Sequence, residues 1–313
     1  MPTAIRQVTT GQNAEAAISA AYNEAGYRYG KYADGNPRTL FAFDGRHAYG
    51  DRKTWELIEG RLLALRATGA CRLRVLDMGC GPGTWLRRIV VRARQLGFAE
   101  IVAHGFDIAD IQLHRARALS RGVAELDGVS LTFAHGDLRG RIAGPRSAYD
   151  LCLCLCGVLN HMPVSELPEV FARMAKVTAN CFIASVRSVG STPTVYVDDL
   201  TSAVRFYQDN KLGRLDVEFS NGRRSSFPSH LFSRTELAGL ASPVFDVDEI
   251  RGLDLFHGRF AADPRWNPPT ATMLARLSQE LERLEDRYCC DPGFVDHATH
   301  LLIMAHKPRT ARS

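Results

Sequence analysis

The stretch Val75-Leu76-Asp77-Met78-Gly79-Cys80-Gly81-Pro82-Gly83 decides how this chain folds. An apolar run reaches an acid, and three glycines then follow at alternate positions. A glycine-rich turn between a strand and a helix lets backbone approach a ligand closely, and the helix start adds N–H donors. The residues beyond it, Leu86, Ile89, Val90 and Ala93, have helical spacing. A dinucleotide fingerprint, G-x-G-x-x-G, requires glycine at position 84. Thr84 stands there, which disfavours a nicotinamide-dependent oxidoreductase.

Downstream, strand and helix patterns alternate. Strands are expected at Arg74–Met78, Ile101–Phe106, Val129–Ala134, Asp150–Cys156 and Cys181–Val186, with helices around Ile111–Leu119 and Ser165–Val177. The fourth strand is apolar almost throughout, as a strand covered on both faces should be. Repeated units of this kind imply a doubly wound parallel α/β sheet with right-handed crossovers. The rhythm breaks over 190–230, where Leu215, Val217 and Phe219 alternate before Asn221-Gly222, the signature of an inserted β-hairpin. A helix at Arg234–Leu240, a strand near Val247–Ile250, a helix carrying Leu274, Leu277, Leu281 and Leu284, and a strand at His300–Ala305 complete the sheet. Upstream, residues 1–70 read as helical, with Trp55, Ile58, Leu62 and Leu65 on one stripe. The expected organisation is an N-terminal helical lid (1–70), a core (71–189), an inserted hairpin or cap (190–233) and a C-terminal completion with a cap helix (234–313).

The ordered landmarks of residues 72–187 resemble the class I S-adenosylmethionine-dependent methyltransferases of the small-molecule type. The resemblance covers about a third of the chain. It implies a Rossmann-like sheet that binds S-adenosylmethionine, with Asp77, Gly79, Cys80, Gly81 and Gly83 forming the first motif. It implies that Asp107, with Ile108 beside it, receives the ribose hydroxyls, a task suited to a carboxylate that accepts two hydrogen bonds. Asp137 would meet the adenine amino group, with Leu138 flanking the ring. Cys156-Gly157-Val158-Leu159-Asn160-His161-Met162 looks like the segment beside the transferable methyl. The stretches 1–70 and 190–313 match no substrate-specific subfamily, so the resemblance identifies the cofactor better than the acceptor.

Acceptor chemistry is expected at the carboxyl ends of the strands. His161 is the first candidate for an acceptor-facing catalytic group, and Arg187, at the end of the fifth strand, for holding an acidic substrate group. Tyr22, Tyr29 and Tyr32 sit among glycines in the N-terminal segment. There a closing lid would exclude water and present aromatic rings to a sulfonium. Tyr22 is assigned to the cofactor and Tyr29 and Tyr32 to catalysis. His230 and His257 are candidate substrate contacts in the cap.

Composition narrows the alternatives. The 313 residues are 45% hydrophobic and 23% charged, ordinary for a globular protein. A net charge of +5, from 39 basic and 34 acidic residues, falls short of a nucleic-acid footprint. RNA or protein methylation and a catalytically silent methyltransferase-like partner stand as the alternatives. The longest apolar run, Leu151–Leu159, is too short to span a bilayer, and Met1–Tyr22 carries no secretory h-region. None of the eight cysteines forms a C-x-x-C pair, so no metal site is expected. Cys152, Cys154 and Cys156 alternate onto one face of the fourth strand. The expectation is a cytoplasmic enzyme with a small-molecule acceptor and no membrane partner, with a homodimer allowed.

Overall fold

Period-two burial along the first strand shows how the sheet is built. Leu73 and Val75 pack on one face with Ile58, Leu62, Leu86 and Ile89, while Leu76 and Met78 pack on the other with Cys152, Cys154, Phe171 and Phe182. Both faces are therefore covered, and the strands need no polar side. The computed structural model describes residues 16, 18–20, 22–23, 39–43, 48–142, 148–191, 203–219, 221–222, 224–257 and 271–308.

The described elements run α1 (Ala48–Ala67), β1 (Arg72–Met78), α2 (Thr84–Gln95), β2 (Glu100–Asp107), α3 (Asp110–Leu119), β3 (Val129–His135), β4 (Tyr149–Cys154), α4 (Leu167–Val177), β5 (Thr178–Arg187), β6 (Ala203–Asp209), β7 (Arg214–Phe219), β8 (Arg224–Pro228), α5 (Arg234–Ala241), β9 (Asp246–Leu253), α6 (Ala271–Tyr288) and β10 (His300–His306). Residues 16, 18–20 and 22–23 are helical and lie upstream of α1. The main sheet has seven strands in the order β3-β2-β1-β4-β5-β10-β9. Strands β1 to β5 pair in parallel, and β10 runs antiparallel between β5 and β9. The order reverses at β1, whose neighbours are β2 and β4, so the switch point lies beside the glycine turn.

Two sequence expectations need correction. The fourth strand stops at Cys154; Cys156 takes a left-handed φ of 60° and is exposed, so only Cys152 and Cys154 share the buried face. The insertion after β5 is a three-stranded antiparallel sheet, β6-β7-β8, rather than a hairpin alone. The Asn221-Gly222 turn joins β7 to β8, while β6 lacks the apolar alternation that would have announced it. This small sheet is fastened to the main one at its β8 end. The His230 N–H donates to the Asn160 carbonyl at 2.7 Å, and the Asn160 side-chain amide donates back to the His230 carbonyl at 2.5 Å.

Candidate methyl-transfer site

Each glycine of the turn is required for a different reason. All three have positive φ, 74° at Gly79, 51° at Gly81 and 74° at Gly83. A Cβ on Gly79 would stand 2.4 Å from a Val158 methyl, and one on Gly83 would stand 2.8 Å from the Phe133 ring. A Cβ on Gly81 would meet nothing within 4 Å, so the turn opens there onto space that a ligand can fill. The Phe106 carbonyl at the end of β2 accepts from Gly79 N–H at 2.8 Å and Cys80 N–H at 3.0 Å, which ties the turn to β2.

Two carboxylates stand at the strand ends. Asp107 accepts from Gly81 N–H through one oxygen and from Ala109 N–H through the other, both at 2.9 Å. Burial pushes its pKa up, and these backbone donors oppose the rise. Asp77 is 1% exposed, and its Oδ2 is buried without a hydrogen-bond partner. Burial, and then the neighbouring Asp107 charge, raise it to about 8. A buried carboxyl left without a partner costs free energy, so this atom marks where a donor on a bound molecule would be received.

The other expected residues fall into three groups. Ile108 lies beside Asp107, and its carbonyl accepts from the Ser19 hydroxyl at 3.0 Å. The Ile111 N–H donates to the Asn23 side chain at 3.1 Å, so the N-terminal helix caps α3. Cys80 is buried, and Cys156 donates its N–H to the Ser185 hydroxyl at 2.7 Å. Cys156 is exposed as a residue, while desolvation pushes its thiol up to about 12. Across the site, the Tyr22 hydroxyl lies 2.9 Å from His161 Nε2, with the two rings edge to face. Burial holds His161 at about 4, and Arg187 adds to the lowering. Arg187 is buried, and its guanidinium donates to the Ser191 hydroxyl at 3.2 Å.

A second group is engaged elsewhere. Asp137 accepts from the Arg139 N–H at 2.8 Å and forms an ion pair with its guanidinium at 2.5 Å. Leu138 packs in the core at 2% exposure. His230 turns its Nε2 to Glu236 at 2.7 Å. His257 stacks on Tyr49, the ring centres 4.6 Å apart. Tyr29 and Tyr32 form the third group and lie outside the described residues.

Sequence reasoning missed several residues of this edge. Asp51, in the first turn of α1, is raised to about 6 by burial, and its charge is among those raising Cys156. Trp85 hydrogen-bonds Cys156. Asn160 donates to the Arg187 carbonyl at 3.1 Å and accepts from the Arg187 N–H at 2.9 Å, locking the ends of β4 and β5 together. Glu285 is fully buried and accepts from the Phe256 N–H at 2.7 Å and the His257 N–H at 3.1 Å. An acid on the apolar stripe Leu281–Glu285–Cys289 was its only sequence signal.

Residues 75–180 match the family model described as a methyltransferase domain. No curated protein matches the chain in sequence. Among solved structures, the magnesium protoporphyrin IX methyltransferase of Synechocystis PCC 6803 with bound S-adenosylmethionine superposes with a TM-score of 0.52. It is 15% identical, and the match covers 96% of this chain and 100% of that one. The PH0226 protein of Pyrococcus horikoshii OT3 gives 0.50 at 17% identity, covering 86% and 95%. These likenesses are of fold. The family match identifies a methyltransferase domain over residues 75–180, and the solved structures share the chain's fold.

Proposed function

We propose that the protein transfers a methyl group from S-adenosylmethionine to nitrogen or oxygen of a small molecule. The observation that carries this reading is the Asp107–Gly81 bridge over an open glycine turn, with the partnerless Asp77 oxygen beside it. The pair suits a nucleoside with a cationic amino-acid tail. Asp107 retains acceptor capacity for ribose hydroxyls, and Asp77 suits an ammonium, whose positive charge would draw its carboxyl into the ionised form. Bound there, the cofactor supplies an activated sulfonium methyl. The chain's own residues then align an acceptor and keep water away. Alignment is worth roughly 7–11 kcal/mol of such a barrier.

The segments that cover this edge of the sheet support a small substrate. The N-terminal helix reaches from Ile108 to His161, and the β8 end rests on His161 and Asn160. Arg187, the last residue of β5 and locked to Asn160, suits an acidic group on that substrate. No described helix is long and apolar enough to cross a membrane. Eight free cysteines accord with a reducing cytoplasm. Incubation with methyl-tritiated S-adenosylmethionine and a fractionated pool of small metabolites tests this function. Label is expected in one small-molecule fraction. Label confined to added RNA or protein, or to none, would overturn the reading.

A further inference from the structure

The hydrogen bonds around His161 have a fixed direction, set by a backbone carbonyl. His161 Nδ1 lies 2.9 Å from the Pro228 carbonyl oxygen, which can only accept, so Nδ1 carries the hydrogen. Burial and the Arg187 charge keep the ring neutral, which leaves Nε2 as a lone pair. Tyr22, 2.9 Å away, must therefore donate its hydroxyl hydrogen to Nε2. With that hydrogen committed, the phenol oxygen offers only lone pairs to any other group that reaches it.

The location of this oxygen gives the direction its meaning. The same helical segment touches Ile108, after β2, through Ser19 and touches His161, after β4, through Tyr22. Strand β1 lies between β2 and β4, so the segment crosses over the end of β1 and the glycine turn that follows it. Tyr22 thus overhangs the space between the cofactor landmarks and the acceptor side.

We propose that Tyr22 orients the methyl acceptor, that His161 is its positioning residue, and that the acceptor must therefore bring an N–H or O–H to the Tyr22 oxygen. The inference rests on the methyltransferase reading and specifies its substrate class: hydroxyls and primary or secondary amines, not tertiary amines, ethers or thioethers. In the transfer, a lone pair on the acceptor atom forms the new bond to the methyl carbon, and the carbon–sulfur bond breaks with its pair going to sulfur. The acceptor's N–H or O–H stays hydrogen-bonded to the Tyr22 oxygen while the new bond forms, and its proton then leaves the methylated product to water. The Tyr22 hydrogen stays on its own oxygen, donated to Nε2. His161 stays neutral throughout because burial and Arg187 oppose its cation.

The test uses the full chain, alone and with S-adenosylhomocysteine. Nitrogen-15 NMR of histidine-labelled protein reads the His161 tautomer directly. Between pH 5.5 and 8 a neutral ring protonated at Nδ1 is expected, and Tyr22→Phe is expected to shift the Nε2 resonance while sparing Nδ1. A ring protonated at Nε2, or one that titrates within that range, overturns the inference. A second readout is tritiated methyl transfer to a panel of primary amines, alcohols and phenols, with their fully methylated counterparts alongside. His161→Leu is expected to slow transfer at least tenfold. His161→Gln, whose side-chain carbonyl can accept the Tyr22 hydrogen, is expected to recover to within threefold of the native rate. Equal rates for all three proteins, or equal labelling of the fully methylated counterparts, overturn it as well. If calorimetry shows no S-adenosylhomocysteine uptake, the methyltransferase reading fails, and the NMR result still judges the hydrogen-bond direction separately.

Discussion

Replacing Asp77 with asparagine separates what the fold gains from what the ligand loses. The native carboxyl has a pKa of about 8 against an ordinary 3.8. Every tenfold tightening of the carboxyl's hold on its proton corresponds to about 1.4 kcal/mol. A carboxyl raised by folding holds its proton in the native state and gives it up on unfolding. Stability therefore falls as pH rises from about 4 and levels off above about 8. At pH 7 the accumulated cost is on the order of 4 kcal/mol, and at pH 5 it is less than half of that. Asparagine has a similar shape and does not titrate. Without ligand, Asp77→Asn is expected to melt higher than the native protein by several degrees at pH 7, with a gap that widens from pH 5 to pH 8. Its affinity for S-adenosylhomocysteine is expected to fall about ten- to a hundredfold, because a hydrogen bond to a charged group is worth about 1.5–3 kcal/mol. Thermal melts at five pH values, with calorimetry at pH 7, measure both. A variant that melts lower than native at pH 8, or that binds the ligand equally well, would refute the reasoning.

Other substitutions probe single contacts. Gly81→Ala places a Cβ in open space at φ 51°, so it should cost only about 1–2 kcal/mol of stability in a melt while weakening ligand binding at least tenfold. Gly79→Ala drives a methyl against Val158 and should destabilise by more than Gly81→Ala in the same assay. Glu285→Ala strips the acceptor from the buried Phe256 and His257 N–H groups, and a loss of about 2–4 kcal/mol is expected in denaturant unfolding. Glu285→Gln keeps an acceptor oxygen and should lose less than half of that.

The parallel core was legible because its signals are local. Leu73, Val75, Leu76 and Met78 of β1 and the unbroken run Leu151–Cys154 of β4 are fully buried, and burial on both faces admits little else. The first motif was equally readable, since the glycine spacing and Asp107 obey backbone constraints that any ligand-binding turn must meet. Tertiary pairing was not readable. Nothing near Tyr22 points to His161, 139 positions away, and nothing near Glu285 points to the 256–257 backbone. Cys156 illustrates a third limit. Alternation assigned it to the strand face, but the left-handed turn needed to enter the Val158–His161 segment removed it from the ladder. The Asp137–Arg139 ion pair likewise depends on a turn geometry that composition does not encode.

Titration of the full chain with S-adenosylhomocysteine, paired with the same titration of Asp107→Asn, tests the central claim most directly. The expected result is one ligand bound per chain, with affinity at least tenfold weaker once position 107 loses its charge. Absence of binding heat in the native protein, or equal affinity in the two, would contradict the account.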